Sequence, residues 1–321
     1  MRNNKICLLG GTGFVGYHLA NRLTRHGYTV RILTRRRERH RELLVNPDIS
    51  LIETDVFDTY QLRQYFSGAG AVINLIGILN ERNAKETAFA RVHVELPGLI
   101  ADAAAAAEVH RLLHMSALHA DPGEPDSRYL RTKGEGEDRA HAAASQGLRV
   151  TSFRPSVIFG PGDSFFNRFA TLLRISPGFF PLACPGSRFA PVYVGDVAEA
   201  FCAALANDST AGKRLELCGP DHYTLKELVI YTRDTIGLKT PVLGLGDTLS
   251  RWQARLLGVM PGKPFTLDNY YSLQRDSVCT DNALPALGIT PTPVKAIVPT
   301  YLAGRNLRGR FRTLRRGARR K

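Results

Sequence analysis

Tyr129 and Lys133 lie four positions apart in the segment RYLRTKGEGE, residues 128–137. Residues at positions i and i+4 of a helix share one face, so the phenol and the ammonium group would lie together. A neighbouring positive charge lowers the pKa of a phenol and suits it to proton transfer at a substrate oxygen. The same spacing also occurs at ordinary helix starts, so acid/base chemistry requires a cofactor and a third polar group as well.

A third polar group is available in the segment LHMSALHA, residues 113–120. Ser116 has a hydroxyl that could orient a substrate oxygen, but the next residue is Ala117. Neighbouring strand residues point to opposite faces, so we expect either that Ser116 acts in a shifted register or that the hydroxyl is missing. His114 and His119 are interpreted as ordinary polar residues, because no acid or cysteine lies at metal-ligand spacing.

Strands and helices alternate along the first half of the chain, which predicts a parallel, doubly wound α/β sheet of the Rossmann type. The predicted strands are KICLLG, YTVRILT, ISLIETD, AVINLIGIL, RLLHMSAL and LRVTSFRP. We expect the Rossmann core over residues 1–155, completion of the core with a small cap domain over 156–303, and a basic, disordered tail over 304–321. Other predictions are a polar helix in RRRERHRELLV, a helix from about Thr87 to Ala107, loops and short elements around FGPGDSFFNRF, and Asp196 as a helix N-cap.

The glycine-rich segment LLGGTGFVG follows the first predicted strand and opens the first predicted helix. Gly10 allows a tight turn, Gly13 lets a pyrophosphate approach the backbone, and Gly16 lets the helix pack closely on the sheet. Free backbone N–H groups and the helix dipole favour phosphate at this position. The predicted cofactor contacts of this loop are Gly10, Thr12, Gly13, Phe14, Val15 and Gly16.

The GxxGxxG spacing resembles the extended and atypical branches of the short-chain dehydrogenase/reductase superfamily. The resemblance implies that Tyr129 exchanges a proton with substrate and that Lys133 binds the nicotinamide ribose. It also implies a Ser or Thr near Ser116 as the third catalytic group. Glu137 occupies another common family position.

The end of the second strand suggests which nicotinamide cofactor is bound. NAD-selective relatives usually have an acid there, whereas this chain has Thr34 followed by Arg35, Arg36 and Arg37. An arginine can hold a 2′-phosphate through two hydrogen bonds, so NADP(H) is favoured over NAD(H), with Arg35 as the predicted contact.

Two further strand ends match the superfamily pattern. Asp55 and Val56 resemble the pair that lies at the adenine. Asn74 and Gly77 match the family's Asn-x-Ala-Gly, with Ile76 in place of the alanine. All four matching residues are therefore expected to contact the cofactor.

Four segments carry a narrower resemblance that spans roughly residues 1–300: GGTGFVG, SRYLRTKGEGE, FRPSVIFGPGDSFFNRF and PVYVGDVAEAF. They resemble the NADPH-binding accessory subunits of respiratory complex I and their bacterial homologues, in which the nucleotide is structural and no turnover is generally assigned. This resemblance implies that Pro155 and Val157 lie near the nicotinamide. It gives Arg154 a structural or phosphate-side role.

Composition restricts the class of protein. The 321 residues are 44% hydrophobic, and we find no apolar run long enough to span a membrane and no signal peptide. We therefore expect a cytoplasmic protein, with peripheral attachment to the inner face of the plasma membrane left open. The five cysteines are scattered, so we expect them to be reduced and mostly buried, without disulfides or metal.

The charge is concentrated at the C-terminus. Nine of the 14 net positive charges lie in the last 17 residues, which leaves about +5 for the remainder of the chain. Such a tail is either solvated or attracted to an anionic membrane surface or an acidic partner, such as respiratory-complex proteins. Nucleic acid is not expected, because no aromatic residues are interleaved with the basic ones.

A second surface candidate lies in GDTLSRWQARLLGVMPG. Leu249, Trp252, Leu256 and either Val259 or Met260 would share one helical face, which would serve packing in the cap or contact with a partner or membrane.

Three functional interpretations follow from these patterns. The first is an NADP(H)-holding accessory or assembly protein related to respiratory complex I. The second is an active reductase, dehydrogenase or epimerase that uses Tyr129 and Lys133. The third is an NADP(H)-binding redox sensor.

Overall fold

The computed structural model describes residues 4–80, 88–260 and 263–303. Its strands are β1 Lys5–Leu9, β2 Thr29–Thr34, β3 Ile49–Glu53, β4 Ala71–Asn74, β5 Arg111–Met115, β6 Arg149–Pro155, β7 Ile158–Phe159, β8 Phe180–Leu182, β9 Arg188–Phe189, β10 Val192–Tyr193, β11 Arg214–Leu217, β12 Tyr223–Thr224 and β13 Val242–Gly244. Its α-helices are α1 Phe14–Arg25, α2 Thr59–Phe66, α3 Leu96–Ala106, α4 Arg128–Ala142, α5 Phe165–Ile175, α6 Val194–Ala206, α7 Leu225–Thr235, α8 Asp247–Gly258, α9 Leu267–Ser272 and α10 Val294–Leu302.

A seven-stranded sheet forms the centre, in the order β11-β6-β5-β4-β1-β2-β3. Every neighbouring pair in it is parallel. This order confirms the predicted Rossmann-type α/β fold. The chain reverses direction across the sheet between β1 and β4, and ligands of such sheets bind in the crevice at that switch point.

Helices cover both faces of this sheet. On one face, α1 and α6 bury residues such as Leu19 and Phe201 against Leu8. On the other face, α2, α3 and α4 pack over Leu33, and Phe66 of α2 is fully buried in this layer. Because both faces are covered, the central strands are mostly apolar, as in β1 and β4, and this is why they could be recognised in the sequence.

A smaller cap region is formed mainly by residues after the sixth strand. Two elements from this part of the chain belong to the core instead: β11 adds the edge strand of the sheet, and α6 packs beside α1 on one face. The cap is built from α5, α7 and α10 around buried residues such as Phe166, Leu228 and Val298, and from α8 and α9, which pack around Ala254 and Tyr270. Short ladders brace it: β7 pairs with β10, β8 with β13, and β9 with β12. The 11-residue helix α5 is longer than the loops and short elements that were expected around Phe165. The predicted boundaries at 155 and 303 stay predictions.

Two other local predictions were wrong. The segment RRRERHRELLV does not form one helix, because its 3₁₀ turns over Arg37–Val45 are broken at His40 and bury only Leu43. Asp196 is not an N-cap. It lies in the first turn of α6, where its carboxylate accepts hydrogen bonds from the N–H and hydroxyl of Thr292 at 2.7 and 2.9 Å.

Two predictions reach residues that the structure does not describe. The predicted start of the third helix at Thr87 lies outside the described residues. The described part runs through a π-helical turn at Ala90–Glu95 into α3. The basic tail over 304–321 lies outside the described residues as well. Within the part that is described, no helix is long and apolar enough to cross a membrane.

The prediction that all cysteines are reduced was wrong for one pair. Cys218, just after β11, forms a disulfide with Cys279, 61 residues later. The chain returns from the cap to the β11 edge, where the N–H of Ala283 donates to the carbonyl of Glu216. This return is a tertiary feature that cysteine spacing alone does not indicate. The other cysteines are free and buried: Cys7, Cys184 and Cys202.

Candidate functional site

The glycine loop joins β1 to α1 at the switch point. Gly10 has a φ of +78°, a conformation that side chains rarely adopt, and a Cβ there would lie 3.0 Å from the backbone of Leu75. A Cβ on Gly16 would lie 2.3 Å from the carbonyl oxygen of Gly10. Both residues are therefore required as glycine by the protein's own packing, whatever the loop binds.

Gly13 differs from these two glycines. It is exposed, and a Cβ there would meet only the Gly10 carbonyl, at 3.3 Å. Gly13 is the N-cap residue of α1, so no side chain caps this helix, and its first turn has no acidic residue. Thr12, Phe14 and Val15 are partly buried around it. An uncapped helix N-terminus with an open glycine in front of it suits a pyrophosphate.

The arginines predicted to select the cofactor follow β2 directly. Arg35, Arg36 and Arg37 are all exposed. The Arg37 N–H donates to the carboxylate of Glu53 at 2.9 Å, which fixes the backbone of this turn. The position after Thr34 therefore presents positive charge next to the glycine loop.

The Asp55–Val56 pair lies at the end of β3. Val56 is buried, whereas Asp55 is exposed and its carboxylate accepts the N–H of Phe57 at 3.0 Å. This local hydrogen bond holds the turn and leaves Asp55 at the surface. An adenine contact by the pair stays a prediction.

Asn74 and Gly77 shape the loop after β4. The buried Asn74 accepts the N–H of Ile76 at 3.0 Å, and its amide nitrogen lies 3.3 Å from Nδ1 of His114. A Cβ on Gly77 would lie 3.6 Å from Nζ of Lys133. This loop thus passes directly over the lysine, and a larger residue at Gly77 would narrow that space.

Helix α4 carries the predicted catalytic pair. The partly buried Tyr129 ring makes edge contacts with Phe89 and His93, at centroid distances of 6.2 and 5.6 Å. The Lys133 ammonium is buried and donates to the carbonyl of Met115, at the end of β5, at 2.7 Å. Burial lowers the pKa of Lys133 to about 8, against the opposing effect of the nearby Glu137.

The first backbone N–H groups of α4 already have side-chain hydrogen-bond acceptors, whereas α1 has no side-chain cap. The carboxylate of Asp268, on α9 of the cap, accepts the N–H of Arg128 at 2.6 Å and that of Tyr129 at 3.3 Å. Ser127 and Ser272 are joined by a hydroxyl hydrogen bond of 2.7 Å. The cap therefore closes on this helix and places a negative charge beside Tyr129.

The Tyr129 phenol is protonated at neutral pH in this environment. Burial is the main cause and the charge of Asp268 is the second, and together they raise the pKa of Tyr129 to about 12. This shift is opposite to the lowering expected from Lys133, and it makes the phenol a weaker acid than a free tyrosine, with almost no phenolate to act as a base. No local pattern indicated Asp268, since it lies 139 residues beyond the tyrosine.

His93 is a site residue that the sequence reasoning missed. Its Nε2 accepts the N–H of Ile78 at 3.1 Å, so Nδ1 carries the proton and lies 3.1 Å from the hydroxyl of Thr132 on α4. Burial and the Lys133 charge lower the pKa of His93 to about 2, which keeps the ring neutral. His93 thus connects the β4 loop to the helix that carries Tyr129.

The close approach of His93 depends on a π-helical turn and on a glycine. A Cβ on Gly136 would lie only 1.6 Å from the carbonyl oxygen of His93. The π turn at Ala90–Glu95 faces this glycine, and such turns are frequent at functional sites. The GEGE segment was the available sequence signal, because a glycine inside a helix is costly unless packing requires it.

Ser116 is buried, and its hydroxyl donates to the Glu137 carboxylate at 3.1 Å. Glu137 is also buried, and its carboxylate forms ion pairs with Arg154 at 2.7 Å and with Arg214 at 3.5 Å. The Ser116 hydroxyl is therefore bound into an ion-pair network, and the neighbouring Ala117 has no hydroxyl that could replace it. A catalytic role for Ser116 stays a prediction that requires this hydrogen bond to break, while Arg154 fits the structural role.

Pro155 and Val157 lie at the end of β6, on the same edge of the sheet as the loops after β4 and β5. The carbonyl of Pro155 accepts the N–H of Leu118 at 3.1 Å, and that of Val157 accepts the N–H of Val192 at 2.9 Å. Their contact with a nicotinamide ring stays a prediction. In the described part of the chain, no three His, Cys, Asp or Glu side chains are placed to hold a metal ion.

Comparison with known proteins finds one matching family and several relatives. Residues 6–218 match a family described as NAD dependent epimerase/dehydratase family. The chain is 30% identical over 303 residues to the mouse (Mus musculus) mitochondrial protein NADH dehydrogenase [ubiquinone] 1 alpha subcomplex subunit 9, covering 90% of this chain and 77% of the relative. It is 29% identical to a ceramide reductase from Caulobacter vibrioides, covering 75% of this chain and 74% of that one.

The fold has solved counterparts. A dTDP-glucose 4,6-dehydratase from Streptomyces venezuelae, solved with NAD and TYD bound, superposes with a TM-score of 0.74 at 20% identity, covering 95% of this chain and 98% of that one. At this identity the likeness supports the fold alone. The sequence matches confirm the resemblance on which the cofactor expectations were based.

Proposed function

This chain belongs to the NAD dependent epimerase/dehydratase family, and from that membership we propose that it holds NADP(H) as an accessory or assembly component related to respiratory complex I. The nucleotide would lie across the switch point, from the glycine loop to Lys133. One observation supports a holding role over a catalytic one. The only hydroxyl at the end of β5, that of Ser116, already donates its hydrogen bond to Glu137.

The phosphate end of the proposed site has the required charges. The first turn of α1 has no side-chain cap, and Gly13 leaves room for the pyrophosphate. Arg35 would pair with the 2′-phosphate of NADP(H), where NAD(H) has only hydroxyls. This difference in charge is our reason for favouring NADP(H) over NAD(H).

The nicotinamide end is better suited to holding than to reaction. Lys133 would bind the nicotinamide ribose, and the loop at Gly77 would limit the space above it. The raised pKa of Tyr129 makes the phenol a poor proton acceptor near neutral pH. Without a free hydroxyl from Ser116, a substrate oxygen would lack its second hydrogen-bond donor.

The proposed partners are respiratory-complex proteins or an anionic membrane surface, on the inner face of the plasma membrane. The relatives that are named as NADH dehydrogenase subunits support the first, and the nine basic residues of the tail support the second. We expect removal of the residues after Gly304 to weaken membrane association in a cell fraction. Unchanged association would contradict a role of the tail.

An active reductase, dehydrogenase or epimerase is the second candidate, because Tyr129 and Lys133 are both present on α4. Asp268 favours an uncharged, hydrophobic substrate over a sugar nucleotide, since its carboxylate would repel a diphosphate at the N-terminus of α4. The resemblance to a protein named ceramide reductase points in the same direction.

The nucleotide content of the purified protein separates these two candidates. A holding protein retains NADP(H) through dialysis at one nucleotide per chain, and Tyr129→Phe leaves this content unchanged. The bound NADPH should also survive incubation with long-chain ketones, followed by its fluorescence. Oxidation of NADPH that is lost in Tyr129→Phe would contradict the holding role and establish the enzyme.

A further inference from the structure

An exposed apolar surface lies on the cap, on and just after α8. Among the described residues, 13 large apolar side chains are exposed, and eight of them fall within residues 175–260. Five form one surface, which we call the α8 face. Its members are Leu249, Trp252, Leu256, Val259 and Met260.

The α8 face follows from helical geometry. Leu249, Trp252 and Leu256 are spaced at i, i+3 and i+7, and their exposed fractions are 59%, 63% and 66%. Ser250 and Ala254, on the opposite side of α8, are buried in the cap. One side of this amphipathic helix thus holds it to the protein, while its more apolar side faces outward.

Basic side chains border the α8 face. Arg251 and Arg255 are the only charged residues of α8 after its first position, and both are exposed. The Arg255 guanidinium lies 5.8 Å from the centroid of the Trp252 ring, and that of Arg251 lies 6.0 Å from the Tyr270 ring. The acidic residue of α8, Asp247, accepts a hydrogen bond from the Tyr270 hydroxyl.

The neighbouring ladder of β8 and β13 also has exposed apolar side chains with basic residues nearby. Leu243 on β13 and Phe179 just before β8 are exposed, and these two strands pair with each other. The Gln253 side chain of α8 donates to the carbonyl of Pro181 on β8 at 3.1 Å, which ties α8 to this ladder. Two exposed, positively charged residues lie in the segments that lead into these strands, Arg174 before β8 and Lys239 before β13.

We propose that the α8 face rests on an anionic phospholipid surface, with α8 parallel to the membrane plane. A helix with aromatic and leucine residues on one side and arginines beside them is typical of interfacial binding. Arginines at the border would reach the headgroups while their methylene stems stay in apolar contact. A second copy of this chain is a poorer occupant, because a twofold interface would bring two sets of arginines together.

The proposal extends the membrane-docking part of the proposed function and does not depend on the nucleotide site. Trp252 is the only tryptophan in the sequence, so its emission reports directly on the α8 face. The test uses the full-length chain with vesicles of phosphatidylcholine, either alone or mixed equally with phosphatidylglycerol. Co-sedimentation measures binding, and the emission maximum of Trp252 measures insertion.

We expect co-sedimentation with the mixed vesicles and a shift of Trp252 emission to shorter wavelength. Leu256→Asp removes one inserted side chain and adds a repelled charge, so the vesicle affinity should fall about ten- to a hundredfold. Val45→Asp is the matched control: it makes a similar change at an exposed position in the segment that leads into β3, the edge strand of the central sheet, and should bind as the natural chain does.

Several outcomes would overturn the proposal. Sedimentation without an emission shift, equal for Leu256→Asp and the natural chain, would mean that the basic tail alone binds the vesicles. A shift that appears without vesicles as protein concentration rises would identify a second copy as the occupant. Absence of binding to the mixed vesicles would reject a membrane contact. NADPH titration of Leu256→Asp should be unchanged, so failure here is separable from failure of the nucleotide site.

Discussion

Replacing Gly136 with alanine tests whether the packing of α4 against the π-helical turn sets the geometry of the site. The new Cβ would lie 1.6 Å from the His93 carbonyl oxygen, and no protein tolerates such a contact below 3.0 Å. The two backbones would therefore have to separate by about 1.4 Å. His93 bonds to Ile78 and Thr132, so the separation would also disturb the loop after β4.

The expected cost follows from two opposing effects. Alanine favours a helix interior over glycine by about 1 kcal/mol. Forcing packed backbones apart costs about 1–3 kcal/mol or more, and here the obstacle is main chain that cannot change rotamer. We expect a net loss of about 2 kcal/mol in the free energy of unfolding. Displacement of Lys133 should also weaken NADPH binding about tenfold, as for one lost hydrogen bond to a charged group.

The matched control is Gly98→Ala on α3, which also faces α4. A Cβ there would lie 3.9 Å from the Arg139 side chain, an ordinary contact, so this variant should be as stable as the natural chain or slightly more stable. Thermal unfolding without nucleotide and an NADPH titration measure both effects. If Gly136→Ala unfolds at the same temperature as Gly98→Ala, the argument about the π-helical turn is refuted.

Three more predictions concern the loop, the lysine and the disulfide. Gly13→Val should abolish nucleotide binding at little cost in thermal stability, because only the Gly10 carbonyl lies near its Cβ; retained binding in a titration would place the phosphate elsewhere. NADPH affinity should begin to fall as the pH rises through about 8, where Lys133 loses its proton, while Lys133→Arg should stay flat there; a parallel decline in both would refute the role of this charge. Replacing Cys218 and Cys279 with serine should cost about 2–4 kcal/mol in chemical unfolding, and an unchanged midpoint under oxidising conditions would speak against the disulfide.

The central fold was predictable because its signals are local. Strands covered on both faces are mostly apolar, as in the first three residues of β4, and the glycines of the loop are needed within a few residues of each other. Tyr129 and Lys133 were found through i and i+4 spacing, which requires only that α4 be a helix.

The missed parts depend on contacts between distant segments. Asp268 reaches Tyr129 from 139 residues away, and Cys279 reaches Cys218 from 61. The direction of the Ser116 hydroxyl depends on Glu137, which lies on a different element. No spacing rule encodes such contacts, because they form only when separate elements pack together in the folded chain.

The proposal that this chain holds NADP(H) rests most directly on the affinity of the purified protein for the two nicotinamide nucleotides. Equilibrium titrations with NADPH and NADH, at equal ionic strength, measure the contribution of the 2′-phosphate. One charge-assisted pair with Arg35 predicts about ten- to a hundredfold tighter binding of NADPH. Arg35→Gln should remove most of this difference and leave NADH binding unchanged. Equal affinities of the natural chain for NADPH and NADH would contradict the account.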